Sequence, residues 1–456
     1  MEPGKHDLEF RQLRHTITKL SDWPTIDPLI YLGPFLKLIK ASDVSGPITG
    51  TAALAIQRIL RSEFFSSTTP SAAEAINQIV EDATMCKFES TNNAQDEIVL
   101  LNIVQVLGIA VECDAGLLLT DEAVCKAFRA SFMLGNPETK PKEYGDIMSY
   151  YSRQSCGHML RTVFNRLRKQ GISEVAAEGE VPCQHGLVAA LEIMDFLIDL
   201  IKSKDVEGCQ GQGSSATARG EYAEDTILFA LHMIHTALMT MGKELVYHDP
   251  LVAMVHVDLL HAMCQAVVNF TSVAIINAFS QIILSIYAFL GSVSVAQIEV
   301  VLERVLMKLA EGKGVYSAEQ KEAALEGILD LCRQPGFIHD IFVNCDCRLE
   351  RSNLFEDLCT LISKAAYPAG GSAKEGISSF HLVSLETLIA IFNAINADKK
   401  LEASTSAYGE EGNLLKPPSA PPPDLDPYDV PLLVGAEDHI GKLLIGHLKE
   451  KRETTV

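Results

Sequence analysis

Short polar side chains follow directly on an apolar segment in the second half of this sequence. Residues 337–343 are mostly Phe, Ile and Val, and the chain then reads Asn344, Cys345, Asp346 and Cys347. Asparagine and aspartate can bond the free backbone amides and carbonyls where one helix stops and another starts. The pattern therefore predicts a capped helical corner, in which these side chains hold elements together.

The elements that must position this corner lie within residues 316–364. Apolar residues at helical spacing predict two longer helices with a shorter helical piece between them. The run 334–336, Gln-Pro-Gly, ends the first helix because proline has no N–H to donate and glycine tolerates the turn. Asn353 and Glu356 have the spacing of a capping box, which predicts the start of the second longer helix.

Histidine pairs are the other residues whose types and spacing suggest chemistry. The candidates are His232 with His235, and His256 and His261 near Cys264; the i, i+3 spacing of His232 and His235, and of His261 and Cys264, could bring two metal ligands together on a helix. No HExxH motif or matching carboxylate accompanies them. The pattern favours ordinary core or surface histidines, and we predict neither a metal site nor a cofactor.

Composition excludes several classes of partner and compartment. The 456 residues include 59 acidic and 38 basic side chains, for a net charge of −21. Nucleic acids and anionic membranes both need clustered Lys and Arg, so neither is expected as a direct partner. Eleven scattered cysteines, an odd number, indicate neither a disulfide framework nor a paired CxxC zinc site, and they favour a reduced, cytosolic setting.

The box around Asn344 resembles a motif of a known family. Residues 342–347, followed by 352–356, resemble the homology-upstream box of the large Golgi ARF guanine-nucleotide exchange factors. This sequence keeps Asn344, Asp346 and Cys347 of that box. It has Cys345 where the family usually shows an aromatic residue and Arg348 where it shows a second aspartate.

Two further stretches resemble the same family. Residues 31–50 are similar to the opening of its GBF and GNOM branch, and residues 101–125 are similar to its first region, the dimerisation and cyclophilin-binding (DCB) region. The resemblance and the composition together predict five segments: a DCB region over 1–204, a Gly- and Ser-rich flexible linker over 205–220, a homology-upstream (HUS) region over 221–400, a Pro-rich disordered insertion over 401–433 and a terminal helix over 434–456.

One segment has the length of a membrane span, because no Asp, Glu, Lys or Arg lies between Asp258 and Glu299. Asn277, Gln281 and Ser285 interrupt it at helical spacing. A polar stripe of this kind suits packing against a neighbouring helix, so the pattern favours a buried helix over a membrane span. Helical patterns follow one another throughout, which predicts an all-α fold, an armadillo- or HEAT-like α-solenoid of stacked antiparallel helices.

No pattern typical of an enzyme is present. We find no nucleophile elbow, and the glycines of 205–220 lack the Gly-Lys-Ser/Thr end of a phosphate-binding loop. Exchange factors of the family carry a downstream catalytic domain, with a glutamate that enters the GTPase nucleotide site, and the longer Gly-Glu-containing motif of that domain is absent from this sequence. The resemblance therefore covers a regulatory region, and we expect the chain, which ends at Val456, to be part of a longer protein.

The resemblance implies a non-catalytic regulatory and dimerisation scaffold in Golgi vesicle traffic. Asn344, Asp346 and Cys347 are expected to act as structural couplers. Expected partners are a second copy of the chain, contacts between the DCB and HUS regions, the downstream catalytic domain, Rab-type or Arf-like GTPases and cyclophilin. The expected location is the cytoplasm, with peripheral recruitment to Golgi membranes. The alternative is a helical-repeat adaptor unrelated to GTPase exchange.

Overall fold

The computed structural model describes residues 5–19, 26–90, 92–135, 146–172, 183–202, 216–270, 272–312, 316–367 and 378–407. Across these ranges the ordered elements are helices, and the one β-type pairing is an isolated bridge between Ser45 and Glu89. The all-α prediction is confirmed. The helices form two compact units, Met1–Val252 and Ala253–Val456.

The helices of the first unit alternate between two layers. They are α1 (Lys5–Lys19), α2 (Pro28–Lys40), α3 (Gly46–Leu60), α4 (Ala72–Thr84), α5 (Asn93–Glu112), α6 (Asp121–Gly135), α7 (Asp146–Ile172), α8 (Leu187–Lys202) and α9 (Ala216–Met241). One layer contains α2, α4, α6 and α8, and the other contains α3, α5, α7 and α9. Each helix packs on the next in its own layer, and most helices also pack on their neighbours along the chain. Phe128 and Phe164 are fully buried in the core between the layers. This stacking is that of an α-solenoid.

The second unit repeats the two-layer arrangement with interrupted helices. Its helices are α11 (Leu260–Asn269), α12 (Val273–Leu290), α13 (Val295–Val301), α14 (Met307–Glu311), α15 (Ala318–Cys332), α16 (Phe337–Ile341), α17 (Leu354–Ala365) and α18 (Ser379–Ala407), while α10 (Asp249–Met254) spans the division between the units. One layer contains α12, α15 and α18, and the other contains α11, α13 with α14, and α16 with α17. Three π-helical turns, at Val255–Leu259, Leu302–Leu306 and Phe342–Asp346, interrupt the second layer.

The predicted helix boundaries around α15 are confirmed. Arg333 is the C-cap of α15, and Gly336 follows with φ of 79°, a left-handed conformation that glycine adopts without steric cost. At the other end Ser317 and Gln320 form a capping box, in which each side chain accepts a hydrogen bond from the other residue's backbone N–H. α15 is therefore fixed at both ends by its own sequence.

The predicted linker over 205–220 and the predicted insertion over 401–433 both overlap helices of the structure. α9 starts at Ala216, inside the predicted linker, whose residues 205–215 lie outside the described residues. Because α9 packs on α7 and α8, the first compact unit continues past the predicted linker to Val252. α18 extends to Ala407, inside the predicted insertion; residues 408–433 and the predicted terminal helix 434–456 lie outside the described residues. The five-segment domain assignment stays a prediction.

Four described helical stretches are long and apolar enough to cross a membrane by length and composition: Asn93–Glu112, Asp249–Asn269, Val273–Glu311 and Ser379–Ala397. In Val273–Glu311, 61% of the most apolar window is buried inside the protein, and Phe279, Ile282 and Ile286 contribute to the core. In Ser379–Ala397 that share is 22%. Of the four stretches, Ser379–Ala397 therefore has the smallest buried share.

Candidate functional site

The predicted corner is built on a π-helical turn. α16 continues into Phe342–Asp346, where the N–H of Cys347 donates to the carbonyl of Phe342 at 3.0 Å, five residues back. A π turn holds one more residue than an α turn and is frequent at functional sites. Here it ends the helix with Asp346 directed at the start of α17.

Asp346 caps α17 from outside that helix. Its carboxylate accepts hydrogen bonds from the backbone N–H groups of Phe355, at 2.9 Å, and Glu356, at 3.1 Å. These are two of the first-turn donors that a helix cannot satisfy internally. Asn353 was predicted to be the cap; it occupies the N-cap position, but its side chain makes no capping bond and instead donates to the Glu356 carboxylate at 3.4 Å. The predicted start of α17 is confirmed, but the capping box does not form, because Asp346 from the preceding turn accepts from both amides.

The other two predicted residues have separate positions. The side-chain amide of Asn344 donates to the carbonyl of Asp340 at 2.8 Å, and its oxygen accepts from Arg348 at 3.4 Å. Asn344 therefore stabilises the π turn from its own side. Cys347 is exposed and joins the turn through its backbone, whereas Cys345 is fully buried. Burial raises the pKa of Cys345 to about 12, which keeps its thiol protonated.

Glu299, on α13, completes the corner and was not predicted. Its carboxylate accepts hydrogen bonds from Arg351 Nη1 at 2.6 Å, from the Ser352 hydroxyl at 2.6 Å and from the Ser352 backbone N–H at 3.2 Å. Only 7% of Glu299 is exposed. Burial alone would raise the pKa of this carboxyl, but the hydrogen bonds from Ser352 and Arg351 outweigh burial, and its pKa lies below the ordinary value.

A sequence signal for Glu299 does exist. It is the acidic residue that ends the long tract without charged side chains that begins after Asp258. A lone carboxylate on an otherwise buried helix must find partners, since burying an unpaired charge is costly. What the sequence does not show is that these partners, Arg351 and Ser352, lie more than fifty residues away.

Aromatic contacts fix the corner against the core. The rings of Phe342 and Phe355 meet edge to face with centroids 5.7 Å apart, and those of Tyr287 and Phe337 at 4.9 Å. The Tyr287 hydroxyl also donates to the Asp340 carboxylate at 2.9 Å, which connects α12 to α16. Edge-to-face pairs of this kind stabilise beyond their buried area.

The arrangement positions helices and has no evident chemistry of its own. The Asp346 and Glu299 carboxylates are both occupied by backbone or side-chain donors of the corner. Among the described residues, no group of three or more His, Cys, Asp and Glu side chains could hold a metal ion. We therefore interpret the corner as a structural joint between α13, α16 and α17.

Replacing Asp346 with alanine is expected to lower the free energy of unfolding by about 1–2 kcal/mol, because two partly buried N–H groups of α17 lose their acceptor. Hydrogen exchange of the full chain should show faster exchange at Phe355 and Glu356. Asn353→Ala is the matched control, since Asn353 occupies the N-cap position without capping. A larger loss for Asn353→Ala than for Asp346→Ala would contradict this assignment of the cap.

Comparison with known proteins agrees with the resemblance of the box. Residues 187–354 match the family described as Mon2/Sec7/BIG1-like, HUS domain. The match begins at the first residue of α8 and extends through Asn344, Asp346 and Glu299 to the start of α17. It therefore spans the predicted linker over 205–220 and includes the whole polar corner up to Leu354.

Curated relatives cover most of the chain. The ARF guanine-nucleotide exchange factor GNL2 of Arabidopsis thaliana is 28% identical over 87% of this chain and 29% of that relative. GNOM of the same organism is 24% identical over 82% of the chain, and ARF guanine-nucleotide exchange factor 1 of Saccharomyces cerevisiae is 21% identical over 85%. The chain spans 30% and 31% of those two proteins. Residues 187–354 are therefore similar to a HUS domain, and more than four fifths of the chain is similar to ARF guanine-nucleotide exchange factors.

Proposed function

We propose that this chain is a non-catalytic regulatory and dimerisation scaffold of an ARF guanine-nucleotide exchange factor that acts in Golgi vesicle traffic. The observation that carries the proposal is the HUS-domain match over 187–354, together with exchange factors as relatives over more than four fifths of the chain. The match is to the HUS domain and not to a catalytic exchange domain. Regulation of a catalytic domain elsewhere in the protein is the role that fits this part.

The polar corner gives this role a physical basis. Glu299 connects α13 to the segment before α17, and Asp346 connects the end of α16 to the first turn of α17. A joint with its hydrogen bonds satisfied holds α17 in one orientation, so that a surface recognised by a partner keeps its shape. Asn344 and Asp346 act as couplers in this proposal, with Cys347 at the exposed end of the turn.

The proposed partners are those that the resemblance to the exchange factors implies. We propose association with a second copy, contacts between the DCB and HUS regions, and action on a downstream catalytic domain, with Rab-type or Arf-like GTPases and cyclophilin as further partners. The cysteines that the structure describes are all free, which supports a reduced, cytoplasmic setting. The relative from Caenorhabditis elegans is named a Golgi-specific factor, which supports peripheral recruitment to Golgi membranes.

Light scattering across a concentration series tests the dimerisation component. If the chain self-associates as proposed, two copies bury the same surface against each other in a symmetric dimer. We therefore expect a stable mass near twice 49.7 kDa. A monomer at every concentration would remove self-association from the proposal. Asp346→Ala should leave the mass unchanged, since its expected effect is confined to the α17 joint.

The regulatory component is tested by adding the chain to the catalytic domain of an ARF exchange factor and following nucleotide release from ARF. A scaffold of this family should change the exchange rate, and Asp346→Ala should reduce that change. A helical-repeat adaptor unrelated to exchange would leave the rate as it was. That result would overturn the proposed role, whatever the solution mass.

A further inference from the structure

Three neighbouring helices of the first unit share an outer surface that is apolar and uncharged. α3, α5 and α7 pack side by side in one layer. Their spacing of three, four and seven residues puts the following exposed side chains on the outer side of each helix. They are Thr51 and Leu54 on α3, Ile98 and Gln105 on α5, and Ile147, Tyr151 and Gln154 on α7. We call the surface formed by these seven residues the uncharged face.

The amino-acid sequence keeps charge away from the uncharged face. No Asp, Glu, Lys or Arg occurs in residues 46–57 of α3 or 98–111 of α5, although 21% of the residues of the whole chain are charged. Two charged neighbours of the face, Glu97 and Arg153, are half-buried, and Arg153 packs its guanidinium on the Phe229 ring of α9. Exposed patches of this kind mark interaction sites, and the centres of protein interfaces are poor in charge and rich in tyrosine.

The large side chains of this face are well exposed. Ile98 and Ile147 are 58% and 60% exposed, and Tyr151 is 45% exposed. Three helices at interaxial distances of about 9 Å form a strip about 30 Å wide. The face extends about 20 Å along the helices, at 1.5 Å per residue. The resulting area of roughly 600 Å² per copy is close to the ~800 Å² per partner that an interface of standard size buries.

The three helices run in the same direction, which gives the face two different ends. Four contacts fix the direction: Gly46 with Asp96, Gln57 with Asn102, Val104 with Ser155 and Glu112 with His158. Within each pair of helices the second contact lies further along both chains, so α3, α5 and α7 are parallel.

Opposite charges lie at the two ends. Asp43 is exposed in the turn before α3, at the end where the helices begin. Arg58 and Arg161 are exposed at the other end, on α3 and α7. Between them Glu112 of α5 lies 3.8 Å from the His158 ring of α7. The two outer helices of the face therefore begin beside an acidic residue and end beside basic ones.

This distribution of charge fits a second copy of the chain. α5 is the central helix of the three, so a two-fold axis through its middle would place α3 of one copy across α7 of the other, in opposite directions. Asp43 of each copy would then lie opposite Arg161 of the other. The centre of the face carries no charge to repel its own copy, even though the chain as a whole has a net charge of −21. Glutamine both donates and accepts, so Gln105 and Gln154 can bond to the same residue types.

We propose that the uncharged face is the surface through which two copies of this chain associate, antiparallel about a two-fold axis at α5. The proposal rests on the self-association in the proposed function and adds the surface and the orientation. Ile98 lies near the axis and Asp43 pairs with Arg161 of the other copy at the two edges.

Sedimentation equilibrium of the full chain tests the surface. Ile98→Asp should raise the dissociation constant of the dimer at least about 100-fold, because the symmetry places two charges in one apolar contact. Val188→Asp is the matched control, since Val188 is 55% exposed on α8, in the other layer of the same unit. It should leave the dissociation constant unchanged. Circular dichroism should show the same helix content in both variants, because both side chains are exposed.

Exchanging charges tests the orientation. Arg161→Asp should weaken the dimer about tenfold, because each edge of the interface then brings two acidic side chains together. Adding Asp43→Arg to that variant restores opposite charges at both edges and should restore the dissociation constant. Lys169→Asp, at an exposed position two turns further along α7, should have little effect.

The outcomes separate this proposal from the proposed function. A dimer that survives Ile98→Asp would overturn the assignment of the surface and leave self-association standing. A monomer at every concentration in the unmodified chain would overturn both, while the effect on the exchange rate is measured independently. Failure of Asp43→Arg to restore the Arg161→Asp variant would overturn the antiparallel orientation.

Discussion

Replacing Glu299 with alanine is expected to lower the free energy of unfolding of the second unit by about 2–3 kcal/mol. The substitution removes the acceptor for Arg351 and for both donors of Ser352. Breaking a buried ion pair from one side costs about 3–5 kcal/mol. The Arg351 side chain is 34% exposed and can turn to water. The expected loss in the free energy of unfolding is therefore smaller than that for a fully buried ion pair. Urea unfolding of the full chain, with hydrogen exchange at residues 351–357, measures the loss.

Glu303→Ala is the matched control for this prediction. Glu303 lies four residues further along, on the π turn that follows α13, and is exposed. Its replacement is expected to change the free energy of unfolding by less than about 0.5 kcal/mol. Equal losses for the two variants would show that the effect belongs to the helix and not to the polar corner.

The Glu299 contribution should also depend on pH with a definite sign. Because the folded-state pKa is below the ordinary value of 4.5, the folded protein binds fewer protons than the unfolded chain near that pH. The contribution is present at neutral pH and is lost as pH falls below 4.5 toward the folded-state pKa. The difference in stability between the unmodified chain and Glu299→Ala should therefore shrink in acid.

His185 is expected to make the first unit less stable in acid by about 2–3 kcal/mol between pH 7.5 and pH 4.5. Only 1% of His185 is exposed, and burial, followed by the nearby Arg166 charge, lowers its pKa to about 4. In the unfolded chain the value is 6.5, so the unfolded state binds more protons between these two values. The stability that depends on a neutral His185 is fully present above pH 6.5 and is lost as the pH falls toward 4.

The geometry around His185 explains why protonation is costly. The Leu119 carbonyl lies 3.2 Å from Nδ1 and can only accept, while Arg166 Nη1 lies 3.4 Å from Nε2 and can only donate. The ring is therefore neutral, with its proton on Nδ1. A second proton on Nε2 would face the guanidinium. Arg166 cannot move away at low cost, because it also donates to the carbonyls of Val111 and Cys113 at the end of α5.

His185→Gln is the variant that tests this prediction. Glutamine can both donate and accept, but it does not titrate, so the acid-dependent loss should decrease while the fold is kept. His15→Gln, at an exposed position of α1, should keep the full pH dependence. An unchanged dependence in His185→Gln would show that other groups cause the acid sensitivity. Unfolding by denaturant at pH 7.5, 6 and 4.5 provides the comparison.

Local patterns were sufficient to predict the helices and several of their ends. The apolar spacing within 316–364 predicted α15, the short α16 and α17, and Pro335 with Gly336 marked where α15 stops. These features depend on neighbours within one or two turns, whose spacing can be read directly. The same holds for the HUS box, since Asn344 and Asp346 were recognised from adjacent residues.

Packing decided how the corner is held together. Asn353 has the sequence of a cap, yet Asp346, nine residues before Phe355, accepts the amide of that residue and leaves Asn353 without a capping bond. Glu299 meets Ser352 across 53 positions of the chain. Contacts between residues so far apart in the chain form only when helices stack. A buried carboxylate must pair with whichever donors the fold brings near it, and the residues adjacent to it in the sequence do not show which donors those are. In the same way, only the structure shows which side of α18 is exposed, because α15 packs on the opposite side.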